Sequence, residues 1–299
     1  MRISTQTLFD TGAANIGDLQ SRLAKTQQQV STGRRILSPA DDPVAAARAL
    51  EVTQSQSLNT QYGVNRRYAT SALSEMEGTL SSVTELLQNV RTTVIAAGNG
   101  ALSDTERGSM ATELSARRDQ LLGLANSRDG LGNYMFSGFQ TTTPAFSMDA
   151  LGVVTYDGDM GQRQIQVDAA RQMSVAAPGS TVFQGGGQDM FATLNDLITL
   201  LQTPGMPAAT DLGAAKTDID LALDNILTVR ASTGSRLQEL DALDYAGEDR
   251  NIQYSQVLSE LQDLDYAEAL TRLSQQQTIL EAAQRSFVTA SGLSLFNFL

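Results

Sequence analysis

The sequence predicts a mainly α protein with a small β insertion. We expect a nested rod of long helices, in which the N- and C-terminal segments pair as a coiled coil and a β-rich domain lies at the tip. Three observations predict this fold: coiled-coil-like apolar stripes at both ends, a long heptad series in the first half, and β-prone runs confined to residues 132–187. Because an apolar helical stripe needs a partner, the two ends are expected to meet.

The first stripe lies on a helix predicted from about Thr5 to Thr32, which Gly33 ends. Apolar residues fall on its a and d positions, with Thr26 as the polar member. The stripe consists of Ile16, Leu19, Leu23 and Val30. We predict that these four residues make contacts in an assembly of subunits.

The second stripe begins at Tyr266 and has the same spacing over the last part of the chain. Its members are Tyr266, Ala269, Leu273, Gln276, Leu280, Ala283, Phe287 and Ala290. The apolar end of the sequence, residues 293–299, is too apolar for a free tail, so we expect it to be buried by a partner, a chaperone or neighbouring subunits. The predicted assembly residues here are Leu273, Leu280, Phe287, Leu293, Leu295, Phe296 and Phe298.

Burial of these few side chains does not offset the conformational entropy lost when such an arm is ordered. We therefore expect terminal arms that are mobile in a monomer and become helical when an assembly supplies more surface. Both arms carry a run of three glutamines, at residues 27–29 and 275–277. Solvated helix positions explain one such run, whereas two runs favour amides that bond to each other between packed helices.

A short connector joins the first helix to the second. Asp42 is a good N-cap and Pro43 a good first helical residue, so the second helix is predicted to begin there. The predicted connector residues are Gly33, Pro39, Asp41, Asp42 and Pro43.

The middle of the chain divides into helical and β-prone parts. A heptad series over residues 73–94 predicts a long bundle helix, made of Leu73, Met76, Leu80, Val83, Leu87, Val90 and Val94. Ser103 or Asp104 can cap the next helix. A β-prone run at residues 152–156 and period-two alternation at residues 162–167 predict strands. The helical pattern returns at Met190 and, after a pause at residues 204–207, resumes from Asp211 almost to the end.

We expect three domains from these patterns. Residues 1–45 and 262–299 form a terminal coiled-coil domain, and residues 46–135 and 188–261 form a helical rod. Residues 136–187 form an inserted β-rich domain.

Composition excludes several classes of function. The 299 residues include no Cys and no His, which excludes disulfides, Cys or His zinc sites and every mechanism that needs an imidazole base. The net charge of -12, with 13 acidic against 4 basic residues between Gly205 and Glu268, argues against nucleic-acid binding. No apolar stretch approaches the length of a membrane span or a signal-peptide core, so we expect no membrane insertion.

The candidate chemical motifs have ordinary structural explanations. Asp218, Asp220 and Asp224 resemble the opening of a calcium loop, but Leu223 stands where the loop needs Gly and Val229 where it needs Glu. Glycines 185–187 are not followed by the Lys-Ser or Lys-Thr pair of a nucleotide-binding loop. We predict no catalytic residue, no metal and no cofactor, and thus no enzyme.

Several segments together resemble a known family. These are residues 2–5 (RIST), 31–36 (STGRRI), 38–43 (SPADDP), 134–138 (YMFSG) and 293–298 (LSLFNF). They are similar to the signatures of bacterial flagellar hook-associated protein 3, the junction protein between hook and filament, in the flagellin superfamily. The first segments are shared with flagellin, whereas residues 133–138 and the Leu-Phe-Asn-Phe end favour the junction protein.

The resemblance implies a structural role in the bacterial flagellum, outside the cell. It implies unfolded export through the flagellar type III apparatus without a cleaved signal peptide, and assembly into a ring of identical subunits. One face would contact the larger hook-associated junction protein and the other face flagellin, while a flagellar export chaperone would hold the C-terminal arm.

Two alternatives remain open at this stage. Flagellin, the filament subunit, shares the terminal pattern. A coiled-coil tip or translocator protein of an injection-type secretion system would also have helical arms, but it needs a membrane-inserting stretch or an ordered monomer.

Overall fold

The computed structural model describes the backbone of residues 5–295 and the side chains of residues 7 and 9–290. These residues form seven helices and four strands in two compact units. Unit 1 contains residues 1–58 and 249–299, and unit 2 contains residues 59–248. The predicted class, mainly α with a small β insertion, is confirmed. The elements are α1 Thr5–Thr32, α2 Pro43–Ala97, α3 Asp104–Ala125, β1 Phe146–Met148, β2 Val154–Tyr156, β3 Gln164–Asp168, β4 Arg171–Ser174, α4 Gly179–Phe183, α5 Met190–Gln202, α6 Ala209–Gln262 and α7 Tyr266–Leu295.

Helix ends follow the local sequence signals closely. Helix α1 ends at Thr32, and Gly33 adopts φ +70°, a left-handed conformation that glycine tolerates best. Helix α2 begins at Pro43 as predicted. Ser103 and Glu106 form a reciprocal capping box at the start of α3.

One helix boundary differs from the sequence pattern. The pattern predicts a helix that continues from Asp211 almost to the end, but the structure ends α6 at Gln262 and begins α7 at Tyr266. The carboxylate of Asp265 accepts hydrogen bonds from the backbone N–H groups of Ala267 and Glu268, and so caps α7. No Gly or Pro marks this break, because its cause is a cap together with a tertiary contact described below.

The predicted heptad series of α2 forms the centre of the core of unit 2. All seven of its members are at most 2% exposed. They pack in one cluster with Leu114 and Leu121 of α3, Leu194 and Leu197 of α5, and Ile226 of α6. Helix α2 therefore buries its apolar stripe against three other helices, as a bundle helix does.

The β insertion consists of two antiparallel two-stranded sheets, β1–β2 and β3–β4. Sheets this small need packing against other elements to be stable. For the β1–β2 sheet, which contains Phe146, four buried phenylalanines supply it, with ring centroids 5.2–6.1 Å apart in tilted or edge-to-face arrangements. These phenylalanines are Phe136, Phe146, Phe183 and Phe191.

The segment 134–138 is the turn that places this aromatic cluster. Phe136 is fully buried, and its carbonyl accepts a hydrogen bond from Gly179 N at 2.7 Å. Gly138 adopts φ +73°, and a Cβ at this position would overlap the carboxylate of Asp159. That carboxylate accepts hydrogen bonds from Phe139 N and Gly161 N, so it is fixed in place. Only glycine fits this turn without strain.

A buried arginine attaches the second sheet to the helices of unit 2. Arg66 is 3% exposed; its Nε pairs with Asp244 Oδ1 and its Nη1 donates to Val167 O at 3.0 Å. Gly247 leaves the space that the guanidinium fills. Asn59 Nδ2 donates to Gly247 O at 2.8 Å and Asn65 Nδ2 to Gln166 O at 2.7 Å. Polar contacts of this kind join α2, α6 and β3.

We expect Gly138→Ala to destabilise unit 2, because an alanine at positive φ costs about 1–3 kcal/mol and its Cβ overlaps Asp159. The melting temperature, followed by circular dichroism, should fall by about 2–4 °C per kcal/mol. Gly78→Ala is the matched control: it lies in α2 with nothing within 4 Å of its Cβ position, and should be neutral or stabilising. Equal melting temperatures for the two variants would contradict this account of the turn.

Candidate assembly site

Helices α1 and α7 pack on each other along their length in unit 1. Phe9 and Phe287 have ring centroids 5.0 Å apart, and at the other end of α1 Gly33 lies against Tyr266. The start of α1 thus meets the later part of α7, and the end of α1 meets the start of α7. The two helices are therefore antiparallel, which confirms the predicted pairing of the terminal segments.

The buried positions on α1 follow the predicted stripe. Ile16, Leu19, Leu23 and Val30 are half-buried, and Thr26 is 4% exposed. The residues between them are exposed, apart from Gln29, which is only 8% exposed. A spacing of three and four residues is what a two-helix seam requires.

The stripe on α7 shows the same alternation. Ala269 is buried, and Leu273, Gln276, Leu280, Ala283 and Phe287 are half-buried, whereas Tyr266 and Ala290 are exposed. Of the predicted assembly residues, the side chains of Leu293, Leu295, Phe296 and Phe298 lie outside the described residues. The sequence thus located the seam, and the structure adds that its leucines stay half-exposed.

A close contact near one end of the seam sets how near the helices approach. A Cβ added at Gly12 would lie 2.7 Å from the ring of Phe287, well inside van der Waals contact. Gly12 therefore leaves the space in which Phe287 packs between the two helices. The sequence pattern did not reveal this residue, since a glycine contributes nothing to an apolar stripe.

The connector between α1 and α2 is organised by Asp41. One carboxylate oxygen pairs with Lys25 Nζ at 2.5 Å, and the other accepts hydrogen bonds from Leu37 N and Ser38 N at 3.0 Å. The hydrogen bond from Lys25, with those from Ser38 N and Leu37 N, holds the pKa of Asp41 at about 2, below its ordinary 3.8. Asp41 thus ties α1 to the chain that follows it.

Asp42 starts the second helix, as the sequence predicted. Its Oδ1 accepts a hydrogen bond from Ala45 N at 3.0 Å, and this bond, with the nearby Arg35 guanidinium, lowers the pKa of the Asp42 carboxyl. Pro39 is exposed within the connector, and Pro43 is the first residue of α2. The predicted connector residues are thus brought together, with Gly33 at the end of α1.

The connector is bonded to the break between α6 and α7. Arg35 N donates to Gln262 O at 2.8 Å, and Leu264 N donates to Gly33 O at 3.0 Å, which makes a short antiparallel bridge. The guanidinium of Arg35 also donates to Leu261 O at 2.9 Å. A Cβ at Gly33 would lie 2.9 Å from the Tyr266 hydroxyl, so glycine serves both the backbone conformation and the packing.

The sequence reasoning did not assign three residues to the connector, although Gln29 lies in a noted glutamine run and Arg35 in a signature segment. Lys25, Gln29 and Arg35 all bond to groups in the connector or beyond it, and Gln29 Nε2 donates to Arg35 O at 2.6 Å. Lys25 is one of only two lysines in the chain, which is the one signal that could have singled it out.

The glutamine runs divide between the seam and the solvent. Gln27, Gln28, Gln275 and Gln277 are exposed, while Gln29 bonds to the connector backbone. Gln276 lies in the seam, and its Oε1 is buried without a hydrogen-bond partner among the described residues. Amide pairing between packed helices in an assembly stays a prediction.

Acidic residues elsewhere take part in local ion pairs. Asp220 lies between Lys216 and Arg91, at 2.6 and 2.7 Å, and the hydrogen bond from Lys216 is the main cause that lowers the pKa of Asp220. Asp218 accepts a hydrogen bond from Gln188. In the described part of the chain, no group of three or more acidic side chains is placed to hold a metal ion. Over the same residues, no helix has the length and apolar character needed to cross a membrane.

We expect the Asp41 contacts to stabilise the connector above about pH 4 and to be lost as the pH falls towards about 2. The reason is that a carboxyl whose pKa is lower in the folded state than in the unfolded state stabilises the fold only while it is ionised. Asp41→Asn should reduce the difference in melting temperature between pH 5 and pH 2, because the contribution of Asp41 is lost while those of other carboxylates remain. Asp18→Asn is the control, because Asp18 is exposed on α1 and forms no ion pair among the described residues. An unchanged pH dependence in Asp41→Asn would contradict the prediction.

Gly12→Ala and Gly17→Ala form a matched pair within α1. Both replace a helical glycine, which by itself favours the helix by up to about 1 kcal/mol. Gly17 has nothing within 4 Å of its Cβ position, whereas a Cβ at Gly12 meets Phe287. Hydrogen exchange of the α1 amides should slow in Gly17→Ala and quicken in Gly12→Ala. Slower exchange in both variants would show that the Gly12 contact does not constrain the seam.

Comparison with known proteins places these features in a family. Residues 3–141 match the family of bacterial flagellin N-terminal helical regions. The chain is 37% identical to flagellar hook-associated protein 3 of Escherichia coli (strain K12) over an alignment of 316 residues that covers 99% of both proteins. Its identity to flagellar hook-associated protein 3 of Salmonella typhimurium (strain LT2) is also 37%, with the same coverage.

A solved structure supports the same relationship. The fold is similar to that of a protein described as a flagellar hook-associated protein from Vibrio parahaemolyticus, with a TM-score of 0.69 and 28% identity. The similarity covers 75% of this chain and all of the other chain. The chain therefore belongs to the family of flagellar hook-associated protein 3, structural proteins of the bacterial flagellum in the flagellin superfamily.

Proposed function

We propose that this protein forms the junction ring between the hook-side junction protein and the flagellin filament, and that it assembles through its terminal helices. Family membership gives the flagellar setting. The observation that carries the proposal is the half-exposed seam of α1 and α7. Two helices cover only one side of each other, so Leu19, Leu23, Leu273 and Leu280 keep apolar surface for further helices.

The energy available from this surface is considerable. Full burial of a leucine side chain contributes about 1.5–3 kcal/mol relative to exposure, and the half-buried seam realises only part of it. By comparison, the leucines of α2 in unit 2 are at most 2% exposed. By associating with neighbouring subunits, the seam residues bury the rest of their apolar surface and gain the rest of this free energy. The predicted assembly residues keep this role in the proposal.

The partners follow from this arrangement. One side of the ring contacts the larger hook-associated junction protein, and the other side contacts the first flagellin subunits. A flagellar export chaperone holds the apolar C-terminal arm before assembly, since residues 293–299 are too apolar for a free tail. Export proceeds without a cleaved signal peptide, and the protein works outside the cell as a structural subunit and not as an enzyme.

The three-domain division belongs to the same proposal. Residues 1–45 with 262–299 form the assembling coiled coil, residues 46–135 with 188–261 form the rod, and residues 136–187 form the inserted β-rich domain. The helix break at residues 263–265 and the connector support a boundary between the coiled coil and the rod near residues 45 and 262.

Cells that lack the gene should have hooks without filaments and should release flagellin into the medium as monomer. Electron microscopy and an immunoassay of the culture supernatant measure these two results. The family match to the flagellin N-terminal region favours flagellin itself as a second candidate. Absence of the major filament protein from cells and medium would support that candidate, and normal filaments would reject both.

Removal of residues 280–299 should abolish assembly while unit 2 stays folded, because the seam loses Leu280 and Phe287. A finer test compares Leu280→Ser with Gln277→Ser, a neighbouring exposed position on α7. Complementation of motility in the deletion strain should fail for Leu280→Ser and succeed for Gln277→Ser. A truncated protein that still joins hook to filament would reject assembly through the terminal helices.

A further inference from the structure

The loop between α2 and α3, residues 98–103, contains a reactive dipeptide. Asn99 is the only asparagine of the chain that is followed by glycine. Because glycine has no Cβ, its backbone nitrogen can approach the side-chain amide of the preceding residue closely. Asn99 and Gly100 are both exposed, so water reaches them. The side chain of Met206 lies against Gly100 but is itself 62% exposed, so it does not close the site.

The backbone nitrogen of Gly100 forms no hydrogen bond within the described part of the chain. Asn133 also lies outside the helices, but the nitrogen after it is engaged, since Tyr134 N donates to Thr141 O at 2.9 Å. At an asparagine inside a helix, the next N–H bonds to a carbonyl one turn earlier. Asn99 differs from these asparagines, because the nitrogen that follows it is free to react.

The loop also orients the side-chain amide of Asn99. Ala101 N donates a hydrogen bond to Asn99 Oδ1 at 3.1 Å. A nucleophile that attacks Cγ places negative charge on this oxygen, and a donor aimed at the oxygen stabilises that charge. The amide of Asn126, by contrast, is fixed at both ends: its Nδ2 donates to Phe146 O at 2.8 Å, and its Oδ1 accepts from Phe146 N at 2.9 Å.

We propose that Asn99 is a modification site of this protein, at which the side-chain amide is lost by deamidation. The nitrogen of Gly100 attacks Asn99 Cγ and closes a cyclic succinimide, and the amide nitrogen leaves as ammonia with the proton from Gly100 N. Water then opens the ring. Opening at Cγ gives aspartate, and opening at the backbone carbonyl gives isoaspartate, in which the backbone runs through the side chain. The reaction needs only the folded chain and water, so it does not depend on the proposed junction ring.

The two products change the loop in different ways. Both add a carboxylate to residues 98–103, which include no basic side chain and continue directly into Asp104. Isoaspartate also lengthens the backbone. The loop then loses the present geometry of two hydrogen bonds, from Ala101 N to Asn99 Oδ1 and from Leu102 N to Asn99 O. The start of α3 should therefore loosen as isoaspartate accumulates.

Incubation of the purified full-length protein at neutral pH tests the proposal. Tryptic peptide maps are followed by mass spectrometry, and cleavage at the arginines places Asn99 and Asn126 on separate peptides. Asn99 should deamidate at a rate within a few-fold of that in a synthetic peptide of residues 95–104, whereas Asn126 should stay intact. A rate more than about tenfold below that of the peptide would mean that the folded loop raises the barrier, and would overturn the proposal. Equal conversion of Asn126 would overturn it as well.

Two substitutions test the hydrogen bond from Ala101. Ala101→Pro removes the N–H donor and should slow the deamidation of Asn99 by about two- to tenfold, the value of one hydrogen bond. Ala101→Gly keeps the donor and should react at least as fast as the wild type. Melting temperatures check that both variants are folded. An equal or faster rate in Ala101→Pro would contradict the assistance of the loop.

Hydrogen exchange separates the added charge from the altered backbone. Asn99→Asp adds the charge alone and should leave the exchange of amides 101–104 close to that of the fresh wild type. Wild-type protein that has been incubated until isoaspartate forms should exchange faster at these amides. Equal exchange in the fresh and the incubated protein would overturn the predicted loosening of α3.

Discussion

The antiparallel pairing of α1 with α7 is the interaction on which unit 1 depends. The two helices come from opposite ends of the sequence, so their seam brings together residues more than 250 positions apart, such as Phe9 and Phe287. Closing such a long loop costs entropy, which a single seam of half-buried side chains offsets only in part. The connector adds the remaining restraint. Backbone hydrogen bonds from Leu264 to Gly33 and from Arg35 to Gln262 fix the position at which the two terminal segments of the chain meet.

The connector shows how polar contacts serve where apolar packing is thin. Asp41 pairs with Lys25 and accepts hydrogen bonds from two backbone N–H groups. Gln29 donates a hydrogen bond to the carbonyl of Arg35, and the guanidinium of Arg35 donates one to the carbonyl of Leu261. Directional bonds of this kind specify one geometry, whereas apolar contacts tolerate several. A subunit that joins other proteins through its terminal helices needs such a defined geometry between α1 and α2.

In unit 2, apolar packing and polar contacts lie in separate places. A stripe of leucines and valines on α2 packs with α3, α5 and α6 in a closed core, and the phenylalanine cluster supports the β1–β2 sheet, which is too small to stand alone. Near residue 66 a buried arginine pairs with Asp244 and fills the space left by Gly247. Loss of Asp244 would leave the buried Arg66 charge without its ion-pair partner, which is costly.

The sequence by itself determined the elements whose cause is local. Heptad spacing located the α1 and α7 seams and the core stripe of α2, Gly33 and Pro43 marked helix ends, and Ser103 marked a cap, because these signals act within a few residues. The signature segments also indicated the family. Only the tertiary structure decided the contacts between distant residues: Phe287 over the space at Gly12, Arg35 on Leu261, Arg66 on Asp244, and the helix break at residues 263–265. The physical reason is that a helical period shows which face of a helix is apolar. It does not show the register of that helix with its partner helix, nor which polar side chains will bond to the backbone of the partner helix.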